Sequence, residues 1–141
     1  MLEKKQILVV EDNSFVAYDI AQAIEHCAAH VIGPVATVAE AILLLDSETV
    51  EGAVLDCQLA DRDISPVALT LLDRNIPFVV HSGTGLPEGL LHRADEIILV
   101  PKPLAPEVVI SALDLLCPGP DNDASPAPES IMPDADAVKL S

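Results

Sequence analysis

Aromatic residues are scarce in this chain of 141 residues. It contains two Phe, one Tyr and no Trp, while half of all residues are apolar. A hydrophobic core must therefore be built from Val, Ile, Leu and Ala, a composition that suits a parallel β-sheet covered by helices. The length provides for one ordinary domain with a single core.

Basic residues are also few. Seven Lys and Arg stand against 23 Asp and Glu, which gives a formal net charge of −16. Nucleic acids are bound largely through Lys and Arg contacts to phosphate groups, so this charge balance argues against a nucleic-acid partner.

Paired cysteines and long apolar runs are missing as well. The three cysteines are scattered and form no CxxC motif, which favours structural thiols in a reducing cytosol over redox or metal chemistry. No run of 18 apolar residues occurs, and the opening residues MLEKKQILVVED reach an acidic pair before any segment of signal-peptide length. We therefore expect a cytoplasmic protein that has no membrane partner.

Short apolar runs alternate along the chain with segments of helical period. The predicted strands are Ile7–Val10, Val31–Ile32, Ala53–Asp56, Phe78–Val80 and Ile97–Val100. Helices are predicted after Asn13, after Thr37, after Ser65, over Pro87–Arg93 and over Pro106–Leu116. This alternation is typical of βαβ units and predicts an α/β domain with a parallel sheet.

The composition changes at Pro118, where Pro, Asp, Ala and Ser begin to dominate. Such a segment has little apolar surface to offset the entropy lost on ordering. We therefore divide the chain into one domain, residues 1–117, and a disordered acidic, Pro-rich tail, residues 118–141.

Charged and hydroxyl side chains follow four of the predicted strands. Glu11 and Asp12 follow the first strand, Asp56 ends the third, Ser82 follows the fourth and Lys102 follows the fifth. The carboxyl ends of strands in an open α/β sheet lie along one edge, so we expect these residues to converge. Clustered carboxylates repel one another unless a cation lies among them, and oxygen ligands favour Mg²⁺ or a similar ion such as Mn²⁺.

A carboxylate beside such a cation can attack phosphorus. The cation and a nearby ammonium neutralise charge on the transferred oxygens. Asp56 is the candidate nucleophile, Lys102 supplies the ammonium, and the hydroxyl of Ser82 can bond a phosphoryl oxygen.

The segments ILVVEDN, VLDCQL, HSG and PKP resemble the receiver domains of bacterial response regulators over about residues 5–117. The resemblance implies a doubly wound, flavodoxin-like sheet of five parallel strands in the order 2-1-3-4-5, with helices on both faces. It implies a stand-alone receiver that a sensor histidine kinase or a histidine phosphotransfer protein phosphorylates on Asp56. Such a protein signals to a downstream protein target, not yet known, or serves a phosphorelay. The resemblance therefore implies a phosphoacceptor rather than an enzyme, with slow autodephosphorylation at most.

The resemblance also implies roles for single residues. The Mg²⁺ ligands would be Asp12, Asp56, the backbone carbonyl of Gln58 and, mainly through water, Glu11. Ser82 would follow the phosphoryl group and Lys102 would pair with it. The peptide bond between Lys102 and Pro103 would be cis.

One position departs from the usual receiver pattern. Receivers commonly carry Tyr or Phe three residues before the lysine, and this chain has Leu99. The stretch PFVVHSGTG is similar to an atypical receiver subgroup of alphaproteobacteria that has PFxFATGYG there, some of whose members serve stress-response phosphorelays. This chain differs from that pattern at His81, Ser82 and Thr84.

Other polar residues near these motifs are expected to have structural roles. Side chains alternate along a strand, so His81 is expected to face away from the site that Ser82 borders. We interpret Asp61 and Asp63 as parts of a solvated loop.

Three other functions are open to a chain of this pattern. A phosphatase of the haloacid dehalogenase type needs a second Asp two residues after the nucleophile, and that position holds Gln58, which cannot transfer a proton. A nucleotide-binding module needs a glycine-rich phosphate loop after the first strand, and neither GxGxxG nor a Walker lysine motif occurs there. A degenerate receiver that only binds proteins is disfavoured because all the acids and the lysine are present.

Overall fold

The structure, a computed structural model, describes residues 2–103 and 105–117. The predicted tail, residues 118–141, lies outside the described residues, and its disorder stays a prediction. Helices in the described part of the chain are too short or too polar to cross a membrane.

Five parallel strands form one sheet. They are β1 (Gln6–Val10), β2 (His30–Val35), β3 (Gly52–Asp56), β4 (Phe78–Ser82) and β5 (Ile98–Pro101). Their order across the sheet is β2-β1-β3-β4-β5, which confirms the doubly wound, flavodoxin-like fold. The strand order reverses beside β1 and β3, so a crevice is expected at the carboxyl ends of these two strands.

Within the described residues, three α-helices and one 3₁₀ segment connect the strands, and a fourth α-helix follows β5. The helices are α1 (Ser14–His26), α2 (Val38–Ser47), α3 (Ser65–Asp73) and α4 (Pro106–Leu116), and the 3₁₀ segment spans Glu88–Glu96. The start signals in the sequence act as expected. The side chain of Asn13 accepts two backbone N–H bonds at the start of α1, and that of Thr37 accepts one at the start of α2.

The predicted short α-helix over Pro87–Arg93 is a 3₁₀ segment instead, interrupted by a non-helical conformation at Arg93. Leu90, which is fully buried, anchors the segment in the core. A Cβ atom on Gly89 would lie 2.8 Å from Ser65 Oγ. Glycine at this position therefore lets the segment approach the start of α3, a role that its low helix propensity alone does not reveal.

Strand β2 also differs from the prediction. The sequence predicts a strand over Val31–Ile32 only, yet pairing with β1 continues to Val35 with a register shift opposite Leu8–Val10. The peptide bond between Gly33 and Pro34 is cis. The bulge accommodates the two residues that would otherwise end the strand.

Two apolar layers cover the two faces of the sheet. Towards α2, α3 and the 3₁₀ segment the strands contribute Leu8, Val10, Ala53, Leu55, Phe78 and Val80. Towards α1 and α4 they contribute Ile7, Val9, Val54, Val79 and Val100. Because side chains alternate along a strand, Glu11, Asp56 and His81 continue the second set at the strand ends.

Candidate functional site

Three carboxylates converge at the carboxyl ends of β1 and β3. One oxygen each from Glu11, Asp12 and Asp56 lies within 4.8 Å of the other two. Glu11 and Asp56 are buried, and Asp12 is exposed. The convergence that the strand-end pattern predicts is therefore present, and we call these residues the acid cluster.

Lys102 extends from the end of β5 into the acid cluster. Its Nζ lies 3.0 Å from Asp56 Oδ1 and 3.5 Å from Glu11 Oε1. Its backbone N–H donates to the carbonyl of Ser82 at 2.9 Å, and the peptide bond to Pro103 is cis. Burial opposes the charge on Lys102, but the bond to Asp56 and the charge of Glu11 outweigh it and raise the pKa of the ammonium.

The pKa of Glu11 shows the effect of burial and of charge repulsion within the acid cluster. Burial and the charge of Asp56 raise its pKa from 4.5 to about 7. Its Oε2 accepts a bond from the N–H of Asn13, whereas the buried Oε1 has no hydrogen-bond partner among the described residues. A single ammonium thus serves two buried carboxylates. A hard divalent cation would lower the remaining repulsion, so this all-oxygen donor set fits Mg²⁺ or Mn²⁺.

Asp56 is held in place from one side. Its Oδ1 accepts bonds from the N–H of Cys57 at 2.8 Å and from Lys102 Nζ at 3.0 Å. Because both donors use the same oxygen, they leave Oδ2 available for reaction with an electrophile.

Ser82 lies at the edge of the site, and its hydroxyl is occupied by its own loop. The hydroxyl donates to the carbonyl of Gly85 at 3.0 Å and accepts from the N–H of Thr84 at 3.1 Å. Gly85 has a φ of +89°, a conformation that favours glycine. To bond a phosphoryl oxygen, Ser82 would have to release the Gly85 carbonyl.

Gln58 lies in the loop that follows Asp56, and it is exposed. It pairs with Asp63 across a short antiparallel bridge. The backbone bonds of that bridge run from Leu59 N to Arg62 O and from Ile64 N to Cys57 O. Neither bond uses the carbonyl of Gln58, which is therefore available as a ligand for a cation.

His81 lies closer to the site than expected. It is 4% exposed, pairs with Asp56 in the register of β3 and β4, and lines a cavity of about 160 Å³ together with Lys102. The expectation that it faces away from the site is wrong. Alternation does separate His81 from Ser82, but Asp56 lies on the same sheet face as His81, which the apolar alternation through Val54 and Val79 could have revealed.

The imidazole of His81 is buried, and no hydrogen bond from the described residues offsets its loss of hydration. Neither ring nitrogen has a hydrogen-bond partner among the described residues. Burial and then the charge of Lys102 lower its pKa, while Asp56 partly opposes this shift. Neutral imidazole is therefore the favoured form in the folded protein.

Asp61 and Asp63 lie in a loop, as expected, and Asp61 is exposed, but both side chains also make specific bonds. The two carboxylate oxygens of Asp61 accept from the N–H groups of Val38 and Ala39 at 2.9 and 3.1 Å. Asp63 accepts from the N–H of Ser65 at 2.8 Å. Both aspartates bond helix starts, and the partners of Asp61 are too distant in sequence to be recognised from a local motif.

Comparison with solved structures shows which proteins this chain resembles. SdrG from Sphingomonas melonis is 30% identical with a TM-score of 0.66, and the match covers 79% of this chain and 95% of SdrG. The response regulator PhyR from Brucella abortus is 32% identical with a TM-score of 0.64 over 79% of this chain. A response regulator receiver protein from Sinorhizobium medicae is 27% identical with a TM-score of 0.68, covering 82% of this chain and 96% of that protein.

The match to PhyR spans 46% of the PhyR chain, so it concerns one part of that protein. No protein-family model and no curated protein matches the chain. The strand order, the strand-end residues and the identity over nearly the whole of SdrG agree with one another. The chain therefore belongs to the receiver domain family of response regulators.

Proposed function

We propose that this receiver accepts a phosphoryl group on Asp56 from a sensor histidine kinase or a histidine phosphotransfer protein, in a reaction that needs Mg²⁺ or Mn²⁺. The observation that supports this most directly is the bond of 3.0 Å between Lys102 Nζ and Asp56 Oδ1. One carboxylate oxygen each from Glu11 and Asp12 lies within 4.8 Å of an oxygen of Asp56. The arrangement supplies a nucleophile, an ammonium and a set of cation ligands at one edge of the sheet.

Each residue of the site would have its own role in the transfer of the phosphoryl group. An oxygen of Asp56 attacks the phosphorus of a phosphohistidine, so a P–O bond forms while the P–N bond breaks, and the leaving imidazole takes up a proton. Lys102 pairs with the negative charge on the transferred oxygens. Bound Mg²⁺, held by Asp12, Asp56 and the Gln58 carbonyl with Glu11 acting mainly through water, would supply further charge neutralisation.

The site favours phosphoryl storage over turnover of phosphate esters. A dehalogenase-type phosphatase needs an acid two residues after its nucleophile, and Gln58 has no proton to transfer. A degenerate receiver that only binds proteins would not need the Lys102 contact or the buried Glu11. We therefore infer a phosphoacceptor with slow autodephosphorylation as its one hydrolytic step.

Phosphorylation would be signalled through the loop after β4. Ser82 can exchange its bond to the Gly85 carbonyl for one to a phosphoryl oxygen, which would draw the loop and the 3₁₀ segment inward. Leu99, on the edge strand β5, has no hydroxyl and is 38% exposed. The loop and the 3₁₀ segment, rather than a rotating aromatic ring, would carry the change to a downstream protein.

The test is labelling of the full chain by acetyl phosphate and by phosphorylated kinases of its own genome, with Mg²⁺ or with EDTA. We expect stoichiometric label with Mg²⁺, none with EDTA and none in Asp56→Asn. Asp73→Asn, which removes an exposed acid from the end of α3, is the matched control and should label normally. Label that survives in Asp56→Asn would refute the proposal.

A further inference from the structure

The loop between β3 and α3, residues 57–64, is more tightly tied than its length and exposure suggest. Its base is closed by the bonds from Leu59 N to Arg62 O at 3.1 Å and from Ile64 N to Cys57 O at 2.9 Å. Leu59 and Ile64 are both buried in the core between the sheet and α2 and α3. These contacts fix the loop to its own strand and helix.

A separate contact ties the tip of the loop to α2. Asp61 is exposed, yet Oδ1 accepts from Val38 N at 2.9 Å and Oδ2 accepts from Ala39 N at 3.1 Å. Both N–H groups belong to the first turn of α2, where donors lack partners within the helix and the helix dipole favours an anion. The bond from Val38 and then that from Ala39 lower the pKa of Asp61, so the carboxylate stays ionised at neutral pH.

Helix α2 does not require Asp61 in order to be capped. Thr37 Oγ1 accepts from Glu40 N at 3.1 Å, and Glu40 Oε1 accepts from Ala36 N at 3.3 Å. The helix thus has a side-chain cap of its own in Thr37. The long-range contact from Asp61 is an addition to that cap, and its distinct consequence falls on the loop rather than on the helix.

The loop carries Gln58, whose carbonyl is the metal ligand in the proposed function. Gln58 stands opposite Asp63 in the bridge at the base, and Asp61 follows it by three residues. A ligand carbonyl must be held within a fraction of an ångström to bind Mg²⁺, an ion that demands near-ideal octahedral geometry. Restraint of the loop tip therefore has a direct bearing on the site.

We propose that Asp61 is a positioning residue for the cation site: by bonding the first turn of α2 it holds the loop so that the Gln58 carbonyl is placed for the metal before the metal arrives. This inference rests on the proposed function only for the identity of the ligand. The clamp between Asp61 and α2 can be measured without any metal.

The experiment compares Asp61→Ala with Thr37→Ala in the full chain. Thr37→Ala weakens the same helix start through the helix's own cap and leaves the loop untouched, so it is the matched control. Two quantities are measured: Mg²⁺ affinity by NMR or calorimetric titration, and amide hydrogen exchange at Leu59 and Ile64 in metal-free protein.

For Asp61→Ala we expect Mg²⁺ affinity to fall about fivefold, below the about 10–100-fold typical of groups that bond a ligand directly. The loss should persist in about 0.3 M KCl, where long-range attraction between Asp61 and the cation is screened. Exchange at Leu59 and Ile64 should accelerate severalfold. Thr37→Ala should leave affinity within about twofold of wild type and both amides unchanged.

Each alternative outcome has its own meaning. Unchanged exchange at Leu59 and Ile64 in Asp61→Ala would overturn the clamp whatever the metal does. Equal loss of affinity in Thr37→Ala, or a loss in Asp61→Ala that salt abolishes, would overturn the positioning role. Failure of wild type to bind Mg²⁺ while Asp61→Ala accelerates exchange would leave the clamp in place and contradict the proposed function instead.

Discussion

Two loops border the acid cluster, and they are held in different ways. The loop after β3, residues 57–64, is closed by backbone bonds at its base and tied to two helix starts by Asp61 and Asp63. The loop after β4, residues 83–87, is held near its start by the bonds of the Ser82 hydroxyl and includes Gly85 at a positive φ. The first is suited to present a fixed ligand, and the second to change shape.

The difference follows from what each loop does in the proposed reaction. A cation ligand should be in place before the ion arrives, because reorganisation on binding reduces affinity. A group that reports phosphorylation must instead differ in its contacts between two states. In the proposed reaction, the same edge of the sheet would thus combine a fixed side and a movable side, with Asp56 between them.

The largest effect is expected at Lys102, which connects both sides through its side chain on Asp56 and its backbone bond to Ser82. Lys102→Gln should slow phosphorylation of Asp56 by about 100-fold or more, because the ammonium that pairs with the transferred oxygens is lost. Initial rates of labelling by acetyl phosphate measure this. Rates within about threefold of wild type would remove Lys102 from the chemistry.

Ser82→Ala should affect the loop after β4 and leave the loop after β3 unchanged. Without the hydroxyl, phosphorylated protein lacks the bond that draws the loop after β4 inward. The changes in amide hydrogen exchange that phosphorylation causes in residues 82–93 should therefore largely vanish. Labelling should fall by about 10- to 100-fold, because a hydrogen bond to a charged group is worth about 1.5–3 kcal/mol. Hydrogen exchange with and without phosphorylation checks this, and an undiminished response in residues 82–93 would contradict it.

His81, at the end of β4, should make the stability of the protein depend on pH. Burial, and then the charge of Lys102, lower the pKa of His81 in the folded protein. Asp56 opposes this shift, and Asp19 of α1 borders the same cavity. Below about pH 6.5 the unfolded chain binds a proton that the folded chain does not, so stability is lost as pH falls. Each pH unit below that point costs at most about 1.4 kcal/mol.

His81→Leu removes this group, so its free energy of unfolding should decline less than that of wild type between about pH 6.5 and pH 5. Denaturant unfolding at several pH values measures the difference. Parallel pH dependence in the two proteins would show that the folded protein accommodates the charged imidazole.

The smallest effect is expected at Leu99. Because this side chain is 38% exposed, Leu99→Ala should cost about 1 kcal/mol, less than the about 2–5 kcal/mol of a fully buried leucine. Phosphorylation of Asp56 should proceed at close to the normal rate. If Leu99→Ala folds normally yet phosphorylation no longer alters partner binding, Leu99 is the switch and the second loop is not.

Strand ends were the informative part of the sequence. The apolar runs before Glu11, Asp56 and Ser82 predicted parallel strands, and the convergence of their carboxyl ends follows from that fold alone. Lys102 followed from the same argument. These residues can be recognised because each follows an apolar strand segment in the alternation of strands and helices, and a single sequence displays that alternation.

Other contacts could not be read from local patterns. Asp61 bonds Val38 and Ala39 at a separation of 22–23 residues, so its role depends on how two layers pack. Gly89 permits a close approach to Ser65 that only the packed structure reveals. His81 could have been placed correctly, because its alternation with Val79 assigns it to the face that carries Asp56.

The most direct test of the central claim is chemical identification of the phosphorylated atom. Borohydride reduces an aspartyl phosphate to homoserine, which mass spectrometry locates in the sequence. After labelling of the full chain in Mg²⁺, we predict homoserine at position 56 and none in the sample treated with EDTA. Homoserine or phosphate confined to another residue, or a folded, Mg²⁺-loaded protein that takes no label from acetyl phosphate or from its own genome's kinases, would contradict the account.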